Sequence, residues 1–237
     1  MSVLRRMAAG PEYAPEPADL RTWSLVGLDL PLRASVAIAV ATLAVLFDYS
    51  RTFIPADLRV LGLGAEGLRV QSVERVVLFL LVPLAIVVLG FRDSPRRYGL
   101  RLGDWRWGVA LIAVGCAVMT PVVVWLASRP DFREYYAPAV APIPDLIVTN
   151  ALDLVSAEFL LRGFLMFALM RVTGPIAVLI VQFPFVLAHL GKPEIELFST
   201  LFGGTVYAWV DWRTGSIFWS ALAHTYIVTL LIVLAAR

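Results

Sequence analysis

From residue 32 onward the chain is a succession of apolar runs separated by short polar breaks. Seven runs are legible, over 32–47, 73–91, 107–127, 146–170, 176–190, 195–212 and 217–235. Most approach the roughly 20 residues an α-helix needs to cross a bilayer, and the first is short for that length, with Arg33 and Asp48 at its ends able to snorkel. The pattern predicts an all-α, polytopic transmembrane helical bundle of seven to eight helices. Pro83 and Pro121 predict bends in the second and third runs. The first 31 residues are polar and carry Pro11, Pro15 and Pro17, so they read as a separate N-terminal segment without an apolar leader. Within it, 23–32 reads as a short amphipathic stretch along the interface. Residues 49–75 read as a loop with Arg51, Arg59, Arg69 and Arg75, and its glycines Gly62, Gly64 and Gly67 lack the rest of a phosphate-binding motif. Residues 32–237 then form one membrane-embedded domain.

Composition sharpens the class. Charged residues are 16% and hydrophobic ones 59%, well away from the roughly 25% charged of soluble domains. The partner this implies is the lipid bilayer. A net charge of +2, with arginines gathered at run ends, gives no reason to expect a nucleic-acid partner. The densest arginine cluster is 92–101, which places that loop and the N-terminus, with Arg5 and Arg6, on the cytoplasmic side. Cys116 is the sole cysteine, so neither a disulfide framework nor a thiolate metal site is expected, and no cofactor is implied.

The polar residues change character after residue 145. Thr149, Asn150, Asp153, Ser156, Glu158 and Arg162 interrupt an apolar run at spacings near three and four. Glu158 and Arg162 are one helical turn apart, and charges at that depth are costly unless they pair or do chemistry. The two histidines of the chain, His189 and His224, are each embedded in a later apolar run. Bland roles exist for each: Glu158 and Arg162 as a register-fixing ion pair, the histidines as interhelical hydrogen-bonding groups, Glu196 as an acid near a helix N-terminus after Pro193. The same Glu, His and His set also has the chemistry of a zinc site, although no His-Glu-x-x-His helix is present.

The order Ala157-Glu158-Phe159-Leu160-Leu161-Arg162, then Phe185-Val186-Leu187-Ala188-His189, then His224 resembles the signature of the CAAX protease and bacteriocin-processing family, the Abi group of intramembrane glutamic endopeptidases. The resemblance spans about residues 145–235, where the site-bearing helices lie. It implies a multi-pass protein of a bacterial-type inner (plasma) membrane that hydrolyses a peptide bond of a membrane-associated, prenylated or sorted protein by a glutamate-activated water. It implies a catalytic set of Glu158, Arg162, His189, His224 and Glu196. Two positions depart from the signature: Ala157 stands where the first glutamate of a pair belongs, and Val228 stands where an Asn or Asp follows the last histidine. The run His189-Leu190-Gly191-Lys192-Pro193-Glu194-Ile195-Glu196 is similar to that of bacterial relatives with a single glutamate before the arginine, which leaves Glu158 or Glu196 for the base. Loss of the first glutamate equally fits a non-catalytic relative acting as a membrane binding, immunity or regulatory protein.

Overall fold

The computed structural model describes residue 11, residues 13–50 and residues 64–237. Among these the architecture is a helical bundle. Helix α1 is Leu32–Ser50, α2 is Ala65–Gly90 and α3 is Trp105–Ala127. A short α4, Pro130–Tyr136, caps the connection to α5 over 143–173. Two brief helical pieces, Ala177–Ile180 and Gln182–Leu187, make up α6. Helices α7, Glu194–Thr214, and α8, Phe218–Ala235, complete the chain. Five stretches, Leu32–Ser50, Ala65–Gly90, Trp105–Ala127, Ile143–Leu187 and Phe218–Ala235, are long and apolar enough to cross a membrane. The chain is an integral membrane protein of the all-α kind its hydropathy predicts.

Small residues let α1 approach its neighbours. Ala34, Ala37, Ala41 and Ala44 recur every three or four positions, all are buried, and the stripe joins Phe79 and the α5 phenylalanines in one core. By contrast α3 keeps Val109, Val114, Val118 and Val124 exposed, as a lipid-facing helix does. Pro83 lies in one α-turn, Val82–Ala85, flanked by π-helical Val76–Leu81 and Ile86–Gly90, so the backbone accommodates the missing N–H by widening. Helix α3 runs through Pro121 as one α-helix.

Two expectations are corrected. The 23–32 stretch, expected as a short amphipathic stretch along the interface, is a β-hairpin: Thr22–Leu25 (β1) pairs antiparallel with Leu28–Pro31 (β2). Its two-residue turn, Val26 and Gly27, has φ of 51° and 80°, both positive as a right-twisted hairpin demands. The hairpin is tied down by Asp19, which accepts from Arg33 at 2.6 Å and Arg97 at 2.8 Å, and Tyr13 donates to the Trp212 carbonyl at 2.8 Å. The second correction concerns the 49–75 loop, because α2 begins at Ala65, before the apolar run. The charges that made this stretch look like loop find partners on other helices: Arg69 pairs with Asp145, and Arg75 with Asp48 and Asp153. Arg5, Arg6, Arg51, Arg59 and Gly62 lie outside the described residues.

Candidate active site

Helix α5 builds the site. It begins as an α-helix, Ile143–Glu158, passes through a π-helical stretch, Phe159–Met166, and closes with Phe167–Thr173. The wider π turn falls on the Glu158–Arg162 step, and such widenings recur at functional sites. Glu158 is 0% exposed and Arg162 1%. Arg162 Nη1 donates to Glu158 Oε2 at 2.7 Å, while Glu158 Oε1 accepts from His224 Nδ1 of α8 at 2.8 Å. The carboxylate thus fixes one tautomer of His224 and leaves Nε2 for other partners.

Phe185, from the Phe-x-x-x-His run on α6, is the hub of this arrangement. Arg162 stacks over its ring at 4.0 Å, and its edge meets His189 at 4.6 Å and His224 at 6.2 Å between centroids. The Phe185 carbonyl accepts from His189 Nδ1 at 2.8 Å, so His189 also leaves Nε2 free. Gly204 of α7 permits this packing. A Cβ there would stand 2.3 Å from Gln182 Oε1 and 2.5 Å from Phe185 Cδ1, and the Gly204 carbonyl lies 3.4 Å from Arg162 Nη2.

His189 and His224 open on a common cavity of about 160 Å³. Asn150, Asp153, Ala157 and Val228 also form its wall, with Lys192 and Arg75. Glu158 and Arg162 lie behind that wall, so the sequence-expected set divides in three: the histidines face the cavity, and Glu158 and Arg162 hold one of them. Glu196 is placed apart from both. It accepts from Tyr136 Oη at 2.6–2.7 Å and from Lys192 Nζ at 2.7 Å, which occupies the carboxylate in its own ion pair. Glu158, His189 and His224 do not converge on a common metal-binding point, and no group of three or more His, Cys, Asp or Glu does so among the described residues.

Sequence reasoning missed three participants. Asp211 on α7 is 0% exposed and accepts from Ser220 Oγ at 2.8 Å, and Ser220 also lies 3.5 Å from Glu158 Oε2. Ser220 therefore serves the buried carboxylates. The signal for Asp211 was a lone acid between Val210 and Trp212. In the sequence Asp48 reads as a run-end charge and Arg75 as a loop charge, although Arg75 reaches Asp153 in the cavity wall at 2.9 Å.

A family model described as type II CAAX prenyl endopeptidase, Rce1-like, matches residues 139–230, the region from the start of α5 into α8. No curated protein matches the chain, and no solved structure does.

Proposed function

We propose, from a chain whose residues 139–230 belong to the Rce1-like type II CAAX prenyl endopeptidases of the CAAX protease and bacteriocin-processing family, that this protein is an intramembrane endopeptidase. Its substrate on this reading is a membrane-associated protein, cut near the bilayer surface. The observation that carries the proposal is the bridge Arg162–Glu158–His224 set directly behind a cavity that His224 and His189 share.

The chemistry follows from that geometry. Amide hydrolysis needs a group to take a proton from water and a group to give one to the departing nitrogen. His224 handles protons at Nε2, because Glu158 behind Nδ1 stabilises the imidazolium and holds the ring. Glu158 acts through His224, since its two oxygens are occupied and it does not reach the cavity. Arg162 keeps Glu158 in place, and stacking on Phe185 keeps Arg162 in place. His189, with Nδ1 spent on the Phe185 carbonyl, presents an acceptor that orients the water. Glu196 anchors Lys192 and Tyr136 at the cavity rim.

The test compares membrane peptides by mass spectrometry from cells producing the wild type, Glu158→Gln or His189→Ala at matched levels. New peptide termini formed with the wild type and lost in both variants support the proposal. Identical profiles in all three place the protein with non-catalytic relatives that bind a membrane partner, a reading the apolar Ala157 and Val228 in the cavity wall would then carry.

A further inference from the structure

We propose that Asp153 is the carboxylate that takes the proton of the attacking water, a role for which Ala157 has no group; this rests on the hydrolase reading above. Asp153 lies four residues before Ala157, one helical turn away on the same helix, and both line the cavity into which His189 and His224 open. A carboxylate at this turn faces the same space as one at 157 would.

The local hydrogen bonding suits it to that task. Arg75 stands between two carboxylates, Asp48 and Asp153, and serves them unequally. Asp48 receives Nε and Nη2 at 2.7 Å each, together with Gln71 Nε2 at 3.2 Å. Asp153 shares the single nitrogen Nη1, at 2.9 and 3.1 Å to its two oxygens. Asp48 thus accepts from three nitrogens and Asp153 from one, so Asp153 keeps the larger share of its acceptor capacity, on both oxygens. Asp48 and Asp153 both line the cavity and share one guanidinium, and of the two it is Asp153 that lies on the helix of Ala157, one turn away.

A second observation points to that water. Asn150 is 1% exposed, lies one turn before Asp153 and lines the same cavity. Its Nδ2 donates to Thr229 Oγ1 at 2.9 Å, whereas its Oδ1 has no partner among the described residues. A buried acceptor beside a polar cavity is satisfied by water or by a polar group of the substrate. Asn150 thus supplies a polar group to the cavity wall that Val228 also lines, and it bonds Thr229, the residue after Val228.

The step balances as follows. The water oxygen bonds to the substrate carbonyl carbon while its proton passes to Asp153, and its second hydrogen rests on His189 Nε2. The tetrahedral intermediate collapses with cleavage of the C–N bond, and the departing nitrogen takes a proton from His224 Nε2. Asp153 then returns its proton to His224, and the products are a carboxylic acid and an amine.

Profiling new peptide termini in membranes of cells producing wild type, His224→Ala, Asp153→Asn or Asp48→Asn tests this. Termini that depend on His224 are expected to fall by about 100-fold or more in Asp153→Asn and by less than about tenfold in Asp48→Asn, which loosens the same arginine. Where Asp153→Asn does not reach the membrane, Arg75→Gln is compared with the doubly neutral Arg75→Gln/Asp153→Asn, and loss confined to the double variant gives the same support. Asp153→Asn or the double variant retaining termini within tenfold of its reference overturns the assignment while the hydrolase reading stands. Equal loss in Asp48→Asn assigns the effect to the ion pair and also overturns it. No difference between wild type and His224→Ala overturns the hydrolase reading, and the base assignment with it.

Discussion

On the proposed reading Glu158 holds a partner and does not touch the substrate. Both oxygens are spent, one on His224 and one on Arg162, in a place without solvent. Glu158→Gln keeps the volume and removes the charge behind the imidazole, so turnover is expected to fall about 100-fold with the fold intact. Arg162→Met leaves a buried carboxylate without its cation, a change worth about 3–5 kcal/mol, and the thermal midpoint in detergent is expected to drop accordingly. The double variant Arg162→Met/Glu158→Gln is expected to recover part of that stability but none of the activity. Individual residues were the most legible level of the sequence: Glu158, Arg162, His189 and His224 stood out as isolated polar groups in apolar runs, and the structure gathers them. Asp153 and Arg75 were less legible because their meaning depends on which helices meet, and an arginine at a run's edge looks the same whether it snorkels or reaches a buried acid.

At the scale of elements, the site depends on how closely α6 and α7 approach α5. Gly204 sets that distance, with Phe185 and Gln182 inside the space its side chain would need. Gly204→Ala is expected to cost about 1–3 kcal/mol by overpacking, and to lower turnover as well, because Phe185 orients both Arg162 and His189. Thermal unfolding and peptide turnover measured on the same preparation check both effects. Hydropathy alone located the helices, since a span of apolar residues has few alternatives in a bilayer. It could not show the π-helical Phe159–Met166, because the same residues satisfy either backbone spacing. Nor could it show that α2 starts at Ala65, where Glu66, Arg69, Glu74 and Arg75 suppress the local hydropathy.

Across the whole molecule, the N-terminal segment is fastened to the bundle by a charge cluster, a feature the proline-rich sequence concealed. Asp19 joins Arg33 and Arg97, and Asp93 accepts from both arginines as well. Burial alone would raise the Asp19 carboxyl, but the Glu16 backbone N–H and the two arginines outweigh it and hold it below its ordinary value of 3.8. A carboxyl depressed on folding contributes stability that is complete above its unfolded value, near 4, and is lost as pH falls through the lower folded value. Hydrogen-exchange protection in the hairpin, relative to the intrinsic rate at each pH, is therefore expected to fall below about pH 4, and Asp19→Asn is expected to show the lower protection at neutral pH with no acid step. The hairpin itself was hidden from hydropathy because its strands span only four residues each.

The central claim is that this bundle splits a peptide bond with water at the Glu158–His224 site. The most direct measurement incubates the purified protein, in nanodiscs, with a membrane extract in ¹⁸O-enriched water and reads new peptide C-termini by mass spectrometry. The account predicts C-termini carrying one ¹⁸O with the wild type and their loss with Glu158→Gln. Their absence with the wild type, or equal labelling with Glu158→Gln, would contradict it.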